Sequence, residues 1–91
     1  MDALKKVNLL KVLEGQPPRA NFHMIEVDKR YTVRVAKTAG RFPWHHHPHG
    51  DEGWFVFEGR LRIDTEAGPV ELNRGDFATI PRGMRHSPEA L

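Results

Sequence analysis

Cysteine is missing from all 91 residues. Its absence removes disulfides, thiolate metal ligands and a cysteine nucleophile at once. Serine is nearly missing as well. The only one, Ser87, stands beside His86 without the glycine-flanked pattern of a nucleophile elbow, so a serine triad has no footing. No apolar run approaches the roughly 18 residues that cross a bilayer. The opening "MDALKKVNLLKVLEG" breaks its apolar positions with lysines and no small-residue cleavage site follows, unlike a signal peptide. There is no run of one charge either: 14 Lys and Arg against 12 Asp and Glu leave a net +2. Arginines 30, 34, 41, 60, 62, 74, 82 and 85 are dispersed among the acids. A nucleic-acid binder usually concentrates such residues on one face or carries a reading module, and neither shows in the sequence. The expectation is a cytoplasmic protein with no nucleic-acid or membrane partner.

The length allows one domain at most, spanning 1–91, with a core near the lower limit for comfortable stability. A bound metal or self-association is an ordinary remedy at this size. Residues 3–13 space Leu4, Val7, Leu10 and Leu13 three apart, which predicts a short amphipathic helix ended by Gly15 and Pro17–Pro18. This N-terminal segment, helical or irregular, is expected over 1–20. Beyond it the period changes to two. "YTVRVA" sets Tyr31, Val33 and Val35 on one face, and "RLRID" sets Leu61 and Ile63 opposite Arg60, Arg62 and Asp64. "WFVF" and "DFATI" are short runs rich in aromatic and branched residues. Turn signals separate them: "TAG", "PHGD", "EAGP", "NRGD" and "PRGM". Short strands with turns this frequent predict an all-β sandwich or barrel.

What the chain has in excess is histidine, concentrated in "WHHHPHGDEGWFVFEG" from Trp44 to Gly59, which holds four of the six. In a strand, residues two apart share a face and lie about 6.6 Å apart along the chain. His45 and His47 therefore project together, and His46 projects away. After the Pro48–Asp51 turn the chain enters a strand in which Glu52, Trp54 and Val56 share one face and Phe55 and Phe57 the other. A carboxylate beside two imidazoles suits a divalent transition metal. Two alternatives stand beside this: an exposed polar loop, and a ligand pair of His47 with His49, which would leave only Gly53 or Trp54 at the carboxylate position. Arg60, Arg62 and Trp54 are candidates for an anionic or aromatic pocket. Their plainer readings are a solvated strand face for the arginines and core for the tryptophan.

The second half carries "GDFATIPRGMRH", from Gly75 to His86. Together the two stretches resemble the paired motifs of the cupin superfamily, and most of all its small bacterial single-domain members. The first motif runs G-x5-H-x-H-x3,4-E-x6-G, and His45, His47, Glu52 and Gly59 match it from the first histidine on. The second runs G-x5-P-x-G-x2-H-x3-N, and Gly75, Pro81, Gly83 and His86 match all but its last element, where Ala90 stands. Gly40 precedes His45 by one residue fewer than usual. The resemblance covers the chain from about Tyr31. It implies a small jelly roll, or double-stranded β-helix, with His86 completing a metal site of His45, His47, Glu52 and His86. Relatives normally continue through one or two closing strands beyond the position of Leu91. The expectation here is an absent or partner-supplied edge, and hence a homodimer.

Three neutral imidazoles and one carboxylate around a divalent ion carry net +1. A six-coordinate ion would keep two positions for water, substrate or dioxygen. Fe, Mn, Ni, Zn and Cu all accept such ligands. Because imidazoles bind metal in the neutral form, affinity is expected to fall below about pH 6. The resemblance implies a metal-binding protein acting on or binding a small molecule, with dioxygenase-like or isomerase-like chemistry as the leading class. The alternative is a non-catalytic metal-dependent ligand-binding or sensing module, since one scaffold hosts both. A third reading is an interaction protein with incidental histidines. Catalytic residues are not assignable at this level.

Overall fold

The computed structural model describes residues 4–18, 23–27 and 30–91. Among these residues it contains one short helix, α1 (Leu9–Leu13), and eight strands: β1 (His23–Val27), β2 (Thr32–Val35), β3 (Gly40–Arg41), β4 (Glu52–Phe55), β5 (Arg60–Thr65), β6 (Gly68–Asn73), β7 (Phe77–Ile80) and β8 (His86–Ala90). Every pairing is antiparallel. The expected all-β class therefore holds. The chain divides into two compact units, one up to Thr38 and one from Ala39.

In the first unit β1 pairs with β2, and the register slips between Met24 and Glu26. The helix is shorter than the three-residue spacing of leucines implied. Asn8 caps it: its Oδ1 accepts from the amides of Leu10 and Lys11, both at 3.1 Å. An asparagine in that role holds extended backbone and stops the helix from running further toward the N-terminus. Only Leu13 is buried, while Leu4, Val7 and Leu10 stay exposed. β2 departs from expectation in the same way, since Val35 alone is buried and Tyr31 and Val33 face solvent.

The second unit holds two sheets, a four-stranded one in the order β3-β8-β5-β6 and the pair β4-β7. Period-two alternation explains how they meet. Leu61 and Ile63 on β5, Leu72 on β6, Ile80 on β7 and Val56 just after β4 form one buried cluster, with Trp54 and Ala78 packed against it. Ile63 and Leu72 are each only 2% exposed. The opposite face of β5 and β8 is ionic. Arg41 reaches Asp64 and Glu89, both at 2.8 Å, and Arg62 reaches the same two acids at 3.1 and 3.5 Å. Arg62 is thus engaged in an ion-pair lattice behind the core, and Arg60 is exposed. The hydrogen bond from Arg41 is the main reason the Asp64 carboxyl sits below the usual carboxylate range; burial works against it and the charge of Arg62 supports it.

On β4-β7 the outward face is aromatic. Phe55 stands opposite Phe77 in the ladder, and Phe55 contacts Phe57 edge to face at 5.1 Å. Phe55, Phe57 and Phe77 are 51%, 43% and 64% exposed. The ring of Phe77 lies so close over Gly53 that a Cβ there would come within 2.7 Å of it. Glycine at 53 is the residue that lets this ring approach the strand so closely.

Candidate metal centre

Three backbone–backbone hydrogen bonds and one from a backbone amide to a side chain join the histidine loop to β8 and the turn before it. His45 donates its amide to the His86 carbonyl at 3.0 Å, and His86 returns the bond at 2.9 Å. The Gly83 amide donates to the His47 carbonyl at 2.9 Å. The Arg82 amide donates to Asp51 Oδ1 at 2.8 Å. The turn that presents these amides depends on Gly83, whose φ of 82° favours a residue without Cβ. β8 then runs between β3 and β5, so His86 enters the interior and is fully buried. β4 supplies Glu52 from the facing sheet, its ladder partner being Ile80.

One ligand atom from each of His45, His47, Glu52 and His86 falls within 4.8 Å of all the others. The rings of His45 and His86 are 4.3 Å apart, those of His45 and His47 5.1 Å, and those of His47 and His86 5.5 Å. His46 and His49 are exposed and lie outside this group. The group thus contains His45 and His47 without His46, as strand alternation predicts, and without His49. His23 lies in β1, where the side chains of His23, Met24, Glu26 and Val27 are outside the described set.

Main-chain carbonyls hold two of the rings. A carbonyl oxygen only accepts, so His45 Nδ1–H donates to the Pro43 carbonyl at 2.7 Å and His86 Nδ1–H to the Met84 carbonyl at 2.9 Å. In the neutral rings both Nε2 atoms then carry lone pairs directed at the cluster centre. His86 Nε2 stands 3.2 Å from Glu52 Oε1, and His47 Nε2 stands 2.9 Å from Oε2. The His47 nitrogen is buried and makes no aligned hydrogen bond despite that distance. Lone pairs facing a carboxylate repel unless a cation or extra protons lie among them. Two ligand atoms each about 2.1 Å from a shared ion and at right angles to each other stand about 3 Å apart, which matches these separations. The donor set fits a divalent transition metal, with the carbonyls of Pro43 and Met84 serving as the outer partners that fix the tautomers.

Two residues contribute beyond the expected ligands. Asp51 holds the Arg82 amide, a role that the Gly50–Asp51 turn signal hides in the sequence. Trp54 donates its indole N–H to Glu52 Oε1 at 2.6 Å. The shared face of residues 52 and 54 could have pointed to it.

Comparison with known proteins agrees with this geometry. A family model described as Cupin domain matches residues 31–91. The protein YdbB of Bacillus subtilis (strain 168) is 39% identical over 84 residues, covering 90% of this chain and 74% of its own. A crystal structure of a cupin-2 domain containing protein from Shewanella frigidimarina NCIMB 400 superposes with a TM-score of 0.83 at 28% identity, over 92% of this chain and 82% of that one. Protein NMB1881 from Neisseria meningitidis shares the fold, with a TM-score of 0.84 at 23% identity over 94% of this chain and 88% of that one. With its paired motifs, its antiparallel jelly-roll sheets and its His-His-Glu-His group, this chain belongs to the cupin family.

Proposed function

We propose that the chain holds one divalent transition metal through His45, His47, Glu52 and His86 and uses it to act on a small molecule. The observation that supports this reading is the convergence of one ligand atom from each of three imidazoles and the Glu52 carboxylate to within 4.8 Å of one another. When bound, such an ion supplies Lewis-acid polarisation of an oxygen ligand or, if redox-active, a site for dioxygen. The chain's own residues do the rest. The Pro43 and Met84 carbonyls keep the Nδ1 protons away from the centre. His86, with no solvent exposure, closes the inner side, while the partly exposed His47 and Glu52 leave the outer side open to a ligand.

A dioxygenase-like or isomerase-like reaction is the class we favour. The test is turnover: protein reconstituted with iron, manganese, nickel, copper or zinc is offered candidate small molecules, and consumption must depend on the metal and vanish in Glu52→Ala. Metal-dependent binding without consumption would instead make the protein a sensing or ligand-binding module. We also propose that the aromatic face of Phe55, Phe57 and Phe77 forms the contact of a homodimer. Phe55 and Phe77 on the β4-β7 pair and Phe57 just beyond β4 form an exposed apolar cluster, the kind of surface that marks association.

A further inference from the structure

We infer that Trp54 is the positioning residue of the metal centre, anchoring the Glu52 carboxylate to the core before any ion arrives. The inference rests on the metal reading above and goes beyond the four ligands. Residues 52 and 54 lie two apart on β4, so both side chains turn inward, and the indole N–H meets Glu52 Oε1 at 2.6 Å. That contact is the shortest of those made by the carboxylate: His47 Nε2 stands at 2.9 Å and His86 Nε2 at 3.2 Å. An indole N–H is a donor only, without charge and without a lone pair for a metal. It can orient the carboxylate, and it cannot displace an ion from it.

The indole is itself held. Trp54 packs against the cluster of Val56, Leu61, Ile63, Leu72 and Ile80, and its ring lies 6.2 Å from that of Phe42. The Glu52 side chain is 22% exposed, so without an anchor it is free to turn toward water. With Oε1 tied to Trp54, Oε2 remains directed at His47. The order of support therefore runs from apolar core to indole, from indole to carboxylate, and from carboxylate to metal.

The test uses full-length protein and Zn²⁺ as the probe. Trp54→Phe keeps an aromatic ring and removes the N–H, and outer partners of this kind typically change metal affinity about 10- to 100-fold. Zn²⁺ binding should weaken by that factor, and Trp44→Phe, at an exposed position, should leave it unchanged. A second reading does not depend on the variant folding. In ¹⁵N-labelled wild-type protein the Trp54 indole N–H signal should shift on Zn²⁺ addition and in Glu52→Ala, while the Trp44 signal stays put. Wild-type Zn²⁺ affinity retained in Trp54→Phe, or a Trp54 indole signal indifferent to both Zn²⁺ and Glu52→Ala, overturns the inference and leaves the metal site standing. Wild-type protein that binds no divalent metal overturns both.

Discussion

Removing the metal should cost the protein much of its thermal stability. The four ligands come from three segments: the loop carrying His45 and His47, β4 carrying Glu52, and β8 carrying His86. β4 and β8 lie in different sheets, so an ion at this point ties the two sheets together. A ligand present at 100 times its dissociation constant and bound only by the folded state adds about 2.7 kcal/mol. For a domain of 60–100 residues each kcal/mol is worth about 4–8 °C in melting temperature. Chelation should therefore lower the midpoint by about 10 to 20 °C, and added metal should restore it. Circular dichroism melts of one preparation, before chelation, after it and after reconstitution, give the measurement, with metal content checked each time. Identical melting of verified metal-loaded and metal-free protein would refute the reasoning.

Leu72→Ala removes a side chain that is 2% exposed and packed with Ile63 and Ile80, and should cost about 2–5 kcal/mol in urea unfolding. Asp64, held below the usual carboxylate range by Arg41, contributes stability that is present above the unfolded carboxylate value near 4 and is lost as pH falls through its folded value. Urea midpoints measured toward pH 2 should therefore decline less steeply in Asp64→Asn than in the wild type. Sedimentation at micromolar concentration should give twice the 10.5 kDa chain mass, and Phe77→Ser should shift the protein toward monomer; a wild-type monomer would remove the dimer proposal.

The strands that place the site were legible because alternation is a direct consequence of strand geometry. Leu61 and Ile63 are buried while Arg62 and Asp64 meet in ion pairs, as the period of two requires. The same rule separated His46 from His45 and His47 and put Glu52, Trp54 and Val56 on one side. The location of His86 depended on the paired-motif resemblance, because no local pattern tells that β8 lies beside β5 and beside the loop residue His45. β1, β3 and β6 went unrecognised. β3 is two residues long, and in β6 only Leu72 is buried, so neither presents an alternating apolar face. The leucine spacing implies a longer N-terminal helix than the protein forms, because the capping preference of Asn8 sets its start. The carbonyls of Pro43 and Met84 that fix the histidine tautomers are main-chain atoms, invisible in a list of side chains.

Metal content per chain, measured by elemental analysis in untagged protein, tests the central claim most directly. Wild type and His46→Ala should each hold one equivalent of divalent transition metal after reconstitution, and His47→Ala should hold far less. Equal loss in the two histidine variants, or a wild type that takes up no metal, would contradict the assignment of His45, His47, Glu52 and His86 as its ligands.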